Sequence, residues 1–419
     1  MTEWAEAVSL ARRQSPFYHR LYQQVPDRPR YLHELPVIDQ GDFWTACLRN
    51  GNEVLTGPFH EGIAVSSGGT SGKPKTSLYS AGEHRAVVAA IAAGMTSAGL
   101  RPGDRVANLL TVGALSLSFV HITHAIHDGS VPVVELPIAS HADCERVVEI
   151  LAAHSATVLV ATPSTLMHVA THLRQHGHAL NSPRLALYAG EPLYRDQRSL
   201  FGEAFPQAQP YPFSYVSSDI GVVAMPVMSQ DDQRLYRAHT AQVIVEIIDS
   251  DTGEPVTRPG RPGRVVVTSL LRRLMPVIRY PVGDMAEWSD TGPGHLRLLG
   301  RSSGHARIGT ARLDLDVLLS HIYDIIEEPE PPSVQIVFRH HQGKDQLVAR
   351  IAANVPDPER SSRLLQDRFR STQPEYRYPL ERGGVHPLAV EWVSVGQLAV
   401  NPRTGRILPT VDERDPTHS

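Results

Sequence analysis

Between residues 105 and 205, short apolar runs alternate with longer amphipathic ones, and this alternation constrains the fold more than any other feature of the chain. The runs Arg105 to Thr111, Ser130 to Leu136, Thr157 to Ala161 and Leu185 to Tyr188 read as buried strands. Helical periodicity separates them at Leu115 to Ile126, Ala142 to His154 and Ser164 to His176, and continues at Tyr194 to Phe205. Strands and helices in strict alternation imply βαβ units and a parallel sheet. Such sheets bind ligands in loops at the carboxyl ends of their strands. Three loops are candidates: the stretch ending at Lys75, Ala161 to Ser164, and Ala189 to Pro192.

The character of the chain changes downstream. From Val243 it becomes β-rich, with runs at Val243 to Ile248, Gly263 to Ser269 and Leu296 to Leu299 joined by Gly/Pro turns. After a short stretch at residues 302 to 304, a helix from Asp314, strands near Val334 and Gln346, and a helix from Glu359 predict a separate α+β piece. With 419 residues the chain suits two or three domains. The expected class is α/β: an N-terminal domain (1–301) of parallel βαβ units with a β-rich subdomain, then a small α+β domain (302–419). Residues 1 to 24 read as helix, broken at Ser15-Pro16.

Composition excludes several classes. A net charge of −4 offers neither a basic face for nucleic acid nor a polybasic membrane patch. The two cysteines, Cys47 and Cys144, are far apart and suggest neither a disulfide framework nor a zinc ribbon. No apolar run reaches the roughly 18 residues of a membrane span, and the first residues lack a secretory leader pattern. The expectation is a cytoplasmic protein. His168, His172 and His176 recur at helical spacing, which reads as an exposed face in the absence of a ligand from another element.

The loop Ser67-Gly68-Gly69-Thr70-Ser71-Gly72-Lys73-Pro74-Lys75 packs three glycines, three hydroxyls and two lysines into nine positions. Glycine permits close backbone approach, and the N–H and O–H donors suit an anion cradle. The chain has three lysines against 37 arginines, and two of the three lie here. A compact ammonium that can follow a reacting phosphate explains the placement. The spacing is not that of the P-loop. It resembles Thr-Ser-Gly-Thr-Thr-Gly-x-Pro-Lys of the adenylate-forming enzymes, the superfamily of acyl-CoA synthetases, peptide-synthetase adenylation domains and luciferases. Gly69, Thr70, Gly72, Pro74 and Lys75 match, Ser71 is a hydroxyl equivalent, and Gly68 departs.

Further segments resemble the same superfamily in order. Ser15-Pro16-Phe17-Tyr18 followed by Leu35-Pro36, and Gly190-Glu191-Pro192-Leu193, are similar to segments of the phenylacetate–CoA ligase branch. The second borders adenine in that family. Tyr215-Val216-Ser217-Ser218-Asp219-Ile220-Gly221 resembles Tyr-Gly-x-Ser/Thr-Glu-x-Gly. The resemblance implies that Tyr215 packs on adenine, Ser218 meets a phosphate and Asp219, in place of Glu, ligates Mg²⁺. Arg279-Tyr280-Pro281-Val282-Gly283-Asp284 and Gly300-Arg301 resemble the segments whose Asp accepts the ribose hydroxyls and whose Arg reaches the nucleotide. Near the C-terminus Pro402-Arg403-Thr404-Gly405-Arg406 resembles Pro-Arg-Ser/Thr-x-Gly-Lys, with Arg406 where the family has its adenylation lysine.

The resemblance implies an AMP-forming acid–thiol ligase that uses ATP, Mg²⁺ and coenzyme A on a small, possibly aromatic, carboxylic acid. Thr70, Lys75 and Arg406 would be catalytic. Ser67, Gly69, Ser71, Gly72, Gly190, Glu191, Pro192, Tyr215, Ser218, Asp284 and Arg301 would bind nucleotide, and Asp219 metal. Leu115, His121, Tyr188 and Phe213 are the candidate acid pocket. The family implies a mobile C-terminal domain turning about residues 302–304, and often a homodimer. A carrier-protein thiol or an amine stays open as the acceptor, and nitrite as a substrate in place of the carboxylate; so does a nucleotide-binding protein with degenerate catalysis, since a guanidinium does not match an ammonium in geometry.

Overall fold

The computed structural model describes residues 2–49, 51–67, 75–113, 115–190, 193–194, 197–227, 232, 234–301, 305–309, 311–326, 332–400 and 407–414. Two compact units divide the chain. Unit 1 comprises residues 1–69, 73–192 and 201–300; unit 2 comprises 70–72, 193–200 and 301–419.

Unit 1 begins with the helices α1 (Glu3–Gln14), α2 (Pro16–Leu21) and α3 (Gln40–Leu48). The break between the first two comes from Pro16, which lacks an N–H and sits in the first turn of α2, where Ser15 Oγ accepts from the Tyr18 amide. A hairpin of β1 (Ile63–Ser67) and β2 (Lys75–Tyr79) pairs antiparallel, Ser67 opposite Lys75 and Val65 opposite Ser77. It leads into α4 (Ala81–Ser97), started by a capping box between Ser80 and Glu83.

The alternating segment then forms β3 (Arg105–Asn108), α5 (Ser118–His127), β4 (Val134–Pro137), α6 (Cys144–Ala153), β5 (Val158–Ala161), α7 (Pro163–Gln175), β6 (Leu185–Tyr188), α8 (Gln197–Ala204) and β7 (Gln209–Pro212). The five strands are parallel in the order β4-β3-β5-β6-β7. All residues of β5 and β6 are buried, as continuous apolar strands between two helix layers must be. The chain turns to β4 on one side of β3 and continues at β5 on the other, so the topological switch lies at the carboxyl ends of β3 and β5.

A seven-stranded antiparallel sheet completes unit 1. Its strands are β8 (Tyr215–Ser217), β9 (Gly221–Pro226), β10 (Leu235–Ala238), β11 (Val243–Ile248), β12 (Gly263–Ser269), β13 (Tyr280–Trp288) and β14 (His295–Arg301), in the order β11-β12-β13-β14-β10-β9-β8. One core joins this sheet to α1–α3 through Phe17, Tyr18, Phe43, Val265, Ile278 and Tyr280. A second joins α4 and α5 to the parallel sheet and to Phe213.

In unit 2, β15 (His305–Ile308) and β16 (Ala311–Asp314) form a hairpin before α9 (Leu315–Ile325). A four-stranded sheet of β17 (Ser333–His341) and β18 (Lys344–Ala352) is covered by α10 (Pro358–Thr372) and α11 (Pro374–Glu381) and finished by β19 (Ala389–Trp392) and β20 (Thr410–Asp412). The fully buried amide of Gln335 donates to the carbonyls of Ala399 (3.0 Å) and Leu408 (2.8 Å), tying together the two ends of the segment that carries Arg406. Arg406 itself lies outside the described residues, as do residues 302–304. Among the described residues no helix is long and apolar enough to cross a membrane.

Candidate functional site

The inward face of β2 is where the separated motifs meet. In a strand alternate residues share a face, so Lys75, Ser77 and Tyr79 point the same way. Ser77 Oγ donates to Asp219 Oδ1 (2.8 Å), a contact between residues 142 apart in sequence. Tyr79 OH donates to the Ser218 carbonyl (2.7 Å). The turn between β8 and β9, which carries Ser218 and Asp219, is thereby fastened to the strand that carries Lys75. Gly221 closes that turn with φ of +100°, and a Cβ there would lie 2.8 Å from Val87 Cγ2 on α4.

Asp219 is buried, and its second oxygen is also engaged: Tyr280 OH donates to Oδ2 (3.1 Å). Tyr280 OH in turn accepts from Trp44 Nε1 (3.0 Å) on α3. The negative charge raises the pKa of its neighbours. Burial pushes the Cys47 thiol up to about 12, with the Asp219 carboxylate adding to the effect. Tyr280 is likewise held well above the ordinary phenol value, by burial first and Asp219 second. The tyrosine is therefore a fixed neutral donor.

Arg272, fully buried, secures the same turn from the other side. It donates to the Asp219 carbonyl and to the Leu78 carbonyl (2.7 Å), and its guanidinium lies 3.6 Å from the Tyr79 ring centroid. Glu83 balances the charge at 3.9 Å and accepts the backbone N–H of Leu274 (2.8 Å). Neither Arg272 nor Trp44 belongs to a motif visible in the sequence.

A second junction lies in the seven-stranded sheet, where Tyr215 OH donates to Asp284 Oδ2. The Tyr and Asp of two motifs 69 residues apart are thus adjacent. Arg279, from the same motif as Asp284, is structural. It has a left-handed backbone (φ +49°), pairs with Glu246 at 3.0 Å and 3.1 Å, and donates to the carbonyls of Leu35 and His33. An arginine in that conformation persists where surrounding contacts over-determine it.

The remaining sequence candidates divide. Gly190 is exposed after β6 with φ of +87°. Tyr188 and Phe213 are buried side by side, the Phe213 amide donating to the Tyr188 carbonyl (2.7 Å). Leu115, proposed for the acid pocket, is 51% exposed with a left-handed backbone, and its carbonyl accepts the Ser66 amide (3.0 Å). His121 faces α4 and not solvent, its ring stacked on His84 at 5.2 Å. Gly69, Thr70, Ser71, Gly72, Glu191 and Pro192 lie outside the described residues, as do the side chains of Ser67 and Arg301.

The fit of a divalent metal can be judged from Asp219. Each of its oxygens already accepts a hydroxyl hydrogen bond. Among the described residues no group of three His, Cys, Asp or Glu side chains could hold a metal ion. Among the described residues the donor set around Asp219 is a single carboxylate. Its spare lone pairs suit a cation brought in by phosphate oxygens.

Residues 65–271 match the family model of AMP-binding enzymes. The fold is that of a solved 2-hydroxyisobutyryl-CoA ligase, with a TM-score of 0.71 at 20% identity over 99% of this chain and 88% of that one. An amide bond synthetase from Marinactinospora thermotolerans is also similar, with a TM-score of 0.51 at 19% identity over 83% of this chain and 67% of that one. In the matched segment 65–271 and in fold the chain is similar to the adenylate-forming superfamily. Within it, the chain is similar to the phenylacetate–coenzyme A ligase of Thermus thermophilus, 25% identical over 81% of this chain and 78% of the relative. The enzyme of that name from Pseudomonas putida is 24% identical over 58% of this chain and 54% of the relative.

Proposed function

We propose that the protein joins a small carboxylic acid to coenzyme A at the expense of ATP, through an acyl-adenylate. The observation that carries this reading is the fastening of the Lys75 strand to the Asp219 turn, with Tyr215 set against Asp284. In the first step a carboxylate oxygen attacks the α-phosphorus and the bond to pyrophosphate breaks. In the second, the thiol sulfur attacks the acyl carbonyl, its proton is lost and AMP leaves.

Lys75, with Thr70 and Ser71, is assigned to the β- and γ-phosphates, where positioning and charge neutralisation lower the barrier. Asp219, with the lone pairs that Ser77 and Tyr280 leave unused, would help hold a phosphate-borne Mg²⁺, which would supply charge neutralisation. Asp284 is assigned to the ribose and Tyr215 to the adenine face. Arg406 takes the α-phosphate.

Pyrophosphate release, followed over a panel of small carboxylates with and without coenzyme A, tests the reading. Release that requires an acid, with a thioester formed only when coenzyme A is present, is expected. Lys75→Ala should lower kcat/KM for ATP by about 10²-fold or more, the usual cost of losing a group aimed at transition-state charge. Wild-type turnover in that variant would end the assignment. Arg406 favours a second reading, a nucleotide-binding protein with degenerate catalysis. Tight ATP binding with no pyrophosphate exchange for any acid tried would select it.

A further inference from the structure

We propose that Trp44 is a positioning residue for Lys75, acting through both its ring face and a hydrogen-bond relay that returns to the lysine's own strand. This inference rests on the reading that Lys75 meets the phosphates of ATP.

Two contacts of the indole support it. Lys75 Nζ lies 6.0 Å from the Trp44 ring centroid, at the outer limit of a cation–π contact. The indole Nε1–H donates to Tyr280 OH (3.0 Å), Tyr280 OH donates to Asp219 Oδ2 (3.1 Å), and Asp219 Oδ1 accepts from Ser77 Oγ (2.8 Å). The direction of this relay is not free. An indole nitrogen can only donate and an ionised carboxylate can only accept, so Tyr280 has one possible hydroxyl orientation. Ser77 stands two residues from Lys75 on the same face of β2, so the relay closes on the lysine's strand.

The chemistry needs a hold of this kind. A lysine side chain has many rotamers, and ordering it costs free energy at the moment of catalysis. Trp44 is 7% exposed and packed edge-on against Phe43 (5.2 Å, 85°), so its plane is fixed before nucleotide binds. A weak contact at 6.0 Å biases the ammonium toward the site yet lets it leave the ring for a phosphate.

The test compares Trp44→Leu, Trp44→Phe and Tyr280→Phe in steady-state pyrophosphate release, each first shown by melting and far-UV circular dichroism to be folded. Trp44→Leu loses ring and relay and should raise KM for ATP about fivefold, the range of one cation–π contact, while KM for the acid stays unchanged. Trp44→Phe keeps an aromatic face and should fall between Trp44→Leu and the wild type. Tyr280→Phe keeps the indole but cuts the relay, and should shift KM for ATP in the same direction by a smaller factor. In a Lys75→Ala background, Trp44→Leu should add nothing to the ATP effect. A full fivefold effect that persists in that background would overturn the proposal, because the indole would then act without the lysine. Equal changes in KM for ATP and for the acid would overturn it as well. If Lys75→Ala weakens ATP use and Trp44→Leu does not, only the proposal fails. If Lys75→Ala leaves ATP use intact, the reading beneath it fails too.

Discussion

Two consecutive elements, β2 and α4, bury polar side chains in opposite ways. Around β2 the buried hydroxyls find partners. Ser77 bonds Asp219 and Tyr79 bonds the Ser218 carbonyl, while Arg272 spans the carbonyls of Asp219 and Leu78 with two of its nitrogens and leaves Nε without a hydrogen bond, 3.9 Å from Glu83. On α4, His84 enters a histidine seam with α5 in which a hydrogen bond joins His84 Nε2 and His124 Nδ1 (2.9 Å). His84 Nδ1 and His121 Nε2 are buried without a hydrogen-bond partner. Satisfied polar burial fixes one geometry, because every alternative leaves a group unpaired. Unsatisfied burial costs stability and leaves a group whose charge state can change. The first is what a site for phosphate transfer requires, and the second is a liability carried by the scaffold beside it.

The largest effect should follow from breaking the satisfied side. Arg272→Leu removes the buried cation, strips two carbonyls of their donor and leaves Glu83 without its charge partner. Removing one member of a buried pair typically costs about 3–5 kcal/mol. Urea denaturation at neutral pH measures the loss. A change below about 0.5 kcal/mol, as at an exposed arginine, would mean that the turn at Asp219 is held by something else and would dissolve the contrast.

The unsatisfied side should respond in the other direction. Burial holds the His121 pKa at about 3, with His84 and His124 adding repulsion of its charged form. His84 is lowered too, by burial and then by His124, with Asp128 opposing and Arg85 assisting. The unfolded chain takes up a proton on His121 near pH 6.5 while the folded protein does not. Stability is therefore whole above that pH and falls as pH drops from about 6.5 toward 3, by about 1.4 kcal/mol per unit for one proton. His121→Leu, similar in volume, should gain about 1 kcal/mol at pH 7 and lose one proton's worth of slope between pH 6 and 4. Melts at several pH values read both. An unchanged slope would show that the seam does not set the acid sensitivity.

Much of this was legible in the sequence, and the rest was hidden for identifiable reasons. The parallel sheet announced itself because β5 and β6 are buried on both faces and so read as unbroken apolar runs. β13 was not foreseen, since Pro281 and Gly283 interrupt it, and β7 carries two prolines. Lys75, Asp219 and Asp284 stand out in the sequence because each sits in a local pattern, and the structure brings the Lys75 strand to Asp219 and Tyr215 to Asp284. Trp44 and Arg272 were not. Their roles come from contacts with residues far along the chain, Trp44 with Tyr280 236 positions away and Arg272 with Leu78 194 away, and no local spacing encodes such a meeting. Leu115 and His121 were read as pocket residues from their segment alone, whereas the left-handed turn at Leu115 exposes one and the α4–α5 packing buries the other.

The smallest expected effect lies where β2 passes into α4, and it sharpens the contrast by separating burial from bonding. Ser80 Oγ accepts the Glu83 amide (3.3 Å) and Glu83 Oε2 accepts the Ser80 amide (2.9 Å), so each end of the capping box is satisfied by the other. Ser80→Ala deletes one of the two bonds, yet Glu83 keeps its contacts with the backbone amides of Arg273 and Leu274. The loss should be about 1 kcal/mol, well under that for Arg272→Leu, with kcat/KM for ATP unchanged. Urea denaturation and steady-state rates on the same preparation check both. A loss as large as that for Arg272→Leu would place the anchor of the Lys75 strand at the helix cap, and the buried bonds of Asp219 and Arg272 would follow from it.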